Sequence, residues 1–239
     1  MSTPRPIFIA ALPREVASLV SQRGWRAHPP HRNIHIFEHQ DAIIVYAGMG
    51  ANRARLAVDA ALMLGPASEL ISVGFAGACS PDSSVGDVLH PTITIDTKTG
   101  ERFFSAELER KVAQHEPVNH EILVTVPAPA GVKEKEYLNV SYYAQAVDME
   151  AAAVARIARA QDLPFTAIKA ISDAHDFELP DLDKFSTPDG QFREAAFGMH
   201  LALHPGLWKS ATALAKGSKL AAHNLRHAVE AQIERRNLK

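Results

Sequence analysis

Short apolar runs alternate with helical stretches along most of this chain, and that alternation narrows the folds open to it. "PIFIAA" (Pro6 to Ala11) has the length of a buried strand, and "REVASLVSQRG" after it has the pattern of a short helix. "AIIVYAG" (Ala42 to Gly48) is a second buried strand. It ends in "GMG" and passes into "ANRARLAVDAALMLG", where Ala54, Ala57, Val58, Ala61 and Leu62 share one helical face. "NIHIFEH" alternates like a half-exposed strand, while "ELISVGFAGA", "GDVLHPTITID" and "EILVTV" are further strands. "KEKEYLNVSYYA" reads as helix, "AVDM" as a short strand, "EAAAVARIARAQ" as helix and "FTAIKAIS" as strand. Residues 100–119 are mixed and polar and suggest no definite element, and "PDLDKFSTPD" from Pro180 has the composition of a loop. Strands and helices in alternation predict an α/β fold: a three-layer sandwich with a mixed, partly barrel-like central sheet flanked by helices.

The size suits one such domain. The 239 residues are 46% hydrophobic, and residues 1–205 form the expected domain. The segment 206–239 carries seven basic and two acidic residues. In it Leu207, Ala211, Leu214, Ser218, Ala221, Leu225, Val229 and Ile233 recur at helical spacing. It is therefore expected as a basic amphipathic C-terminal helix packed on the domain, with contact at a membrane surface as the second reading. A formal net charge of -2 gives no general attraction for nucleic acid. Cys79 is the only cysteine, so no disulfide framework can form within the chain, which fits a reducing cytoplasm. No secretory signal is visible, because "PIFIAAL" is short and leads straight into charge. The twelve histidines are scattered without metal-ligand spacing.

In an open α/β sheet, ligands sit beyond the carboxyl ends of the strands. Three of those ends here are acidic: Glu15 follows the first strand in "ALPREV", Glu150 follows "AVDM", and Asp173 follows "KAIS". Two more are glycine-rich, "AGMGANR" and "VGFAGAC", where a backbone can approach a ligand closely. Taken singly, each feature has an ordinary explanation. A glutamate at a helix start favours the helix dipole, an aspartate after a strand caps or turns the chain, and Met149 fills a core. Their ordered combination says more.

"AVDMEAAAVARIA", "FTAIKAISDAHD", "VGFAGACSPDSSVGDVL" and "IFIAALPREV" together resemble the purine nucleoside phosphorylase and methylthioadenosine/S-adenosylhomocysteine nucleosidase superfamily, over roughly residues 6–180. The resemblance implies cleavage of the N-glycosidic bond of a purine nucleoside of the adenine type. Water is the expected attacking group and phosphate the alternative. It implies Asp173 as the general acid at N7 of the leaving base. Glu150 would hold the ribose hydroxyls with Met149 on the sugar face, and Glu15 would orient the water. Ser172, Phe75, Ala76 and Gly77 would line the base and ribose sites, beside Gly48, Met49 and Gly50. Such chemistry needs Asp173 protonated, hence a pocket that raises its pKa, and Glu15 and Glu150 ionised.

The chain departs from the family pattern in four places. "VTVPAPAGVKEK" has no base-stacking aromatic, Phe75 replaces a turn serine, and Lys169 replaces an arginine. The phosphate-binding G-D-P-x-R is absent, which leaves Arg14 and Arg53 as candidate phosphate ligands. The resemblance further implies a homodimer and no metal or organic cofactor. The basic tail is similar to that of the hopanoid-associated branch, whose substrate is an adenosylated lipid. A non-catalytic nucleoside-binding module or membrane-peripheral module is the alternative from another class.

Overall fold

Eleven strands form one mixed sheet in the computed structural model, which describes residues 3–178 and 208–237. In chain order the strands are β1 (Arg5–Ala10), β2 (Arg26–Ala27), β3 (His35–Glu38), β4 (Ile43–Tyr46), β5 (Ala67–Ala78) and β6 (Val88–Leu89). They continue with β7 (Ile93–Asp96), β8 (Arg102–Phe104), β9 (Ile122–Thr125), β10 (Ala146–Asp148) and β11 (Phe165–Asp173). The helices are α1 (Pro13–Val20), α2 (Ala51–Leu62), α3 (Ala106–Ala113), α4 (Val132–Tyr142), α5 (Ala151–Ala160) and α6 (Trp208–Asn237). The polar stretch 100–119 resolves into β8 and α3, the latter capped by Ser105, whose side chain accepts from the Leu108 N–H. The Pro180–Asp189 loop lies outside the described residues.

The sheet runs β2-β3-β4-β1-β5-β10-β9-β7-β8, and β11 joins it by pairing with β5 and β6. The long β5 is the hub: it is parallel to β1 and β11 and antiparallel to β10. Helices cover both faces. On one side α2 and α5 meet through Ala54, Ala57, Val58 and Ala61 against Ala151, Ala155 and Ala158, over Ile7, Ile9 and Val45. On the other, Val16 and Leu19 of α1 and Ala221, Leu225 and Val229 of α6 pack on Phe8, Ile44, Ile71 and Ile168. Alternate residues of β1 therefore feed opposite cores, which is why "PIFIAA" is apolar at every position. The alanines of α2 and α5 favour helix and keep the two axes close.

The C-terminal helix is anchored to this body. Leu225 and Val229 are essentially fully buried, and each contributes about 1.5–3 kcal/mol. Among the described residues no helix is long and apolar enough to cross a membrane. Gly217 is the closest point of approach: a Cβ there would lie 2.3 Å from the Ser172 carbonyl oxygen, one residue before Asp173. Gly217→Ala gains about 1 kcal/mol in helix propensity, but the overlap with fixed backbone costs about 1–3 kcal/mol. The substitution is expected to lower Tm in thermal unfolding. An unchanged or raised Tm would show that α6 does not sit this tightly on β11.

Candidate active site

Strand register assembles the site. Gly77 of β5 is opposite Asp173 of β11 and opposite Val147 of β10. The acid after β11 and the acids of the β10–α5 junction therefore reach the same end of β5. The β1–α1 turn completes the ring with Glu15. The resulting cleft encloses about 770 Å³ of non-atom space, its open mouth included. Glu15, Glu150 and Asp173 all line it.

Glu15 is 4% exposed and sits in the first turn of α1. One carboxylate oxygen, Oε2, accepts the N–H groups of Ala11 at 2.9 Å and Leu12 at 2.8 Å. The other, Oε1, accepts the Phe75 N–H at 3.1 Å. The first contacts belong to the helix start, where orphan N–H groups need acceptors. The third ties α1 to β5. Gly74 permits this, because a Cβ there would lie 2.9 Å from Glu15 Oε1, and its φ of +144° is one that side-chain-bearing residues avoid.

Both acids of the β10–α5 junction line the cleft, and Asp148 also serves the fold. Asp148 accepts the Thr125 hydroxyl at 2.6 Å and the Ala151 N–H at 2.9 Å, and pairs with the Lys169 ammonium at 2.8 Å. It thus serves the start of α5 and neutralises a lysine that is 1% exposed. Burial works against the Lys169 charge, but Asp148, Glu150 and Glu15 outweigh it and hold that amine above its ordinary pKa. Glu150 faces the cleft and accepts the Gly50 N–H at 2.7 Å. Burial and the neighbouring Asp148 carboxylate push Glu150 up to about 7, against the pull of Lys169 and Gly50. An ionised Glu150 was the expectation; burial and a second carboxyl in the same corner both work against its charge.

The sequence reading expects around Asp173 a pocket that raises its pKa, and names no ionic partner for it. In the structure its Oδ2 accepts from Lys135 Nζ at 2.5 Å, and its Oδ1 accepts the Ser172 hydroxyl at 2.7 Å. Lys135 is 1% exposed, lines the cleft, and also donates to the Ala174 carbonyl at 2.9 Å. Nothing in "KEKEYL" marks Lys135 among its charged neighbours except its position three residues before the buried Leu138.

Of the other residues singled out from sequence, Met49, Phe75, Ala76, Gly77, Met149 and Ser172 line the cleft. Gly50 supplies its N–H to Glu150, and Gly48 donates to the Ala11 carbonyl at 2.9 Å, which fixes the "GMG" turn beside the β1–α1 turn. Arg14 lines the cleft, with its guanidinium 5.9 Å from the Phe75 ring centre. Arg53 is placed elsewhere: it is buried and donates to the carbonyls of Ala47, Arg32 and Asn33. Its guanidinium braces a loop and is not among the lining groups. Leu214 and Ser218 of α6 also line the cleft, so the C-terminal helix forms part of the wall. Cys79 is buried, and desolvation pushes its thiol up to about 12, so it is no nucleophile. No cluster of residues suited to hold a metal ion occurs among the described residues.

Solved structures share this fold. The 5′-methylthioadenosine/S-adenosylhomocysteine nucleosidase of Neisseria meningitidis, in complex with methylthio-immucillin-A, is 20% identical and superposes with a TM-score of 0.69, over 97% of this chain and 98% of that one. The 5′-methylthioadenosine nucleosidase of Arabidopsis thaliana is 15% identical with a TM-score of 0.71, over 98% and 96%. The futalosine hydrolase of Helicobacter pylori is 17% identical with a TM-score of 0.64, over 95% and 98%. No curated protein matches the chain in sequence. The family model described as the phosphorylase superfamily matches residues 6–197, most of the chain. With its sheet, its acidic strand ends and that match in agreement, the chain belongs to the phosphorylase superfamily.

Proposed function

We propose that this protein hydrolyses the N-glycosidic bond of a purine nucleoside, with adenine as the preferred base. The observation that carries the proposal is the convergence of Glu15, Glu150 and Asp173, from three separate elements, on one cleft. Breaking the bond leaves positive charge on the ribose and negative charge on the base. Asp173 meets the base at N7 and delivers the proton it needs to leave. Glu150 accepts from the ribose hydroxyls, with Met149 against the sugar. Glu15, held by three backbone N–H groups, fixes the attacking water. Carboxylates outnumber ammonium groups around the cleft, a preorganised field that favours a cationic sugar.

Two features favour water over phosphate. The N–H of Gly50 at the start of α2, a natural anion site, already donates to Glu150. Arg53 is engaged by backbone carbonyls. Arg14 at the cleft is the residue a phosphorolytic reading would use. The proposal carries with it a homodimer acting in the cytoplasm without a cofactor. The test is purine release from adenosine, 5′-modified adenosines, inosine and guanosine, followed chromatographically. Catalytic release, fastest from the adenine nucleosides, is expected. Tight binding of a nucleoside without release would make the protein a binding module instead.

A further inference from the structure

The mechanism above gives no part to the buried charge that touches Asp173. Lys135 is 1% exposed and reaches from α4 into the wall of the cleft to contact Asp173 at 2.5 Å. A buried ion pair gives little net stability, since desolvating both charges offsets their attraction. The fold nevertheless makes room for this one. A Cβ at Gly77 would lie 2.9 Å from Asp173 Oδ2 and 3.0 Å from Lys135 Cε, so a glycine at this point of β5 is what lets the pair close. The second Lys135 contact, to the Ala174 carbonyl at 2.9 Å, fixes the ammonium against the carboxylate.

The geometry points to Lys135 as a positioning residue that holds the proton Asp173 passes to the leaving base. A carboxylate facing an ammonium has no proton of its own to give. As the C1′–N9 bond breaks, its electron pair goes to the purine ring and N7 becomes basic. N7 takes a proton from Asp173, and Asp173 takes one from Lys135 Nζ, leaving a neutral amine. Water forms the new bond to C1′ and gives its proton to Glu15. Exchange with solvent after release returns that proton to Lys135, so the cycle closes with base and free sugar as products. An amine keeps its proton across the neutral range, where a carboxyl alone does not. The pair therefore places a proton donor in contact with Asp173.

This inference rests on the hydrolase reading, and the experiment separates the two. The charged and titratable groups around the pair are Cys79 just after β5, Glu134 on α4, Arg14, Glu15, Asp148 and Glu150 lining the cleft, and His175, Asp176 and Glu178 after Asp173. All are common to the wild type and the variants, so the informative quantity is the ratio of kcat values at each pH. In Lys135→Met, Asp173 must carry the proton itself. The ratio of wild-type to variant kcat is expected to climb steadily from pH 5 to pH 8, by up to about tenfold per unit, because the protonated fraction of a carboxyl falls tenfold per pH unit above its pKa. Lys135→Arg keeps the charge but holds its proton too tightly to share, so it should restore Tm without restoring kcat at pH 8. In the wild type itself, the alkaline fall of kcat should lie above pH 8. A ratio constant with pH, full rescue by arginine, or a wild-type fall below pH 7 would each overturn the role of Lys135 while leaving the hydrolase reading intact. Absence of any cleavage by the wild type would overturn both. If Lys135→Met does not fold, the arginine variant and the wild-type profile still decide.

Discussion

Asp173→Asn is expected to lower kcat for purine release by about a hundredfold or more, the usual contribution of a general acid. Asparagine keeps the size and the hydrogen-bonding reach toward N7, but it cannot relay a proton. It also leaves the Lys135 ammonium buried without its carboxylate, which costs about 3–5 kcal/mol when one partner of a buried pair is removed. Activity and Tm should therefore fall together, and far-UV circular dichroism below Tm must show the native helix and sheet content. A folded variant with near wild-type turnover would remove Asp173 from the chemistry.

Glu150→Gln should separate ribonucleosides from 2′-deoxyribonucleosides. A hydrogen bond to a charged group is worth roughly 1.5–3 kcal/mol, so kcat/KM for a ribonucleoside should fall about ten- to a hundredfold, with a much smaller fall for the deoxy analogue. Equal losses would place Glu150 away from the sugar. The same variant tests the electrostatics of the corner. Glu150 has an ordinary value of 4.5 and is held up to about 7 in the folded protein. Below 4.5 both states are protonated and the shift costs nothing. As pH rises from 4.5 to 7 the unfolded chain ionises first, and folding stability is progressively lost; above 7 the loss is complete. At about 1.4 kcal/mol per unit, the full cost is at most about 3.5 kcal/mol. Glutamine retains an oxygen for the Gly50 N–H and removes that cost. The variant should thus melt above the wild type at pH 8, with the difference shrinking as pH approaches 4.5. Its KM for ribonucleosides should also lose the rise that the wild type shows as pH falls through 7.

Much of this site was legible in the sequence because its acids stand where element types change. Glu15, Glu150 and Asp173 follow apolar runs too regular to mistake, and the order of four motifs carried the family. What the sequence could not divide was the labour of neighbours. Asp148 and Glu150 look alike in "AVDME" and both line the cleft, yet the register of β10 against β9 gives Asp148 the Thr125 hydroxyl, while Glu150 takes the Gly50 N–H. Lys135 was hidden because a lysine in a charged helix is normally solvated, and only the packing of α4 on β9 and β10 buries it. Arg53 misled for the converse reason: it follows a glycine-rich turn at a helix start, but its long side chain turns back to loop carbonyls. Leu214 and Ser218 belong to the wall only because Gly217 lets α6 approach Ser172, a long-range contact with no local signature.

The most direct measurement is the identity of the sugar released with the purine, compared with and without inorganic phosphate. Hydrolysis gives free ribose, or its 5′-modified form, in equal amount to the base and at a rate that phosphate does not change. That is the result expected from Glu15 held at the cleft and Gly50 already bound to Glu150. Stoichiometric ribose 1-phosphate, formed only when phosphate is supplied, would contradict it and make Arg14 the residue to explain.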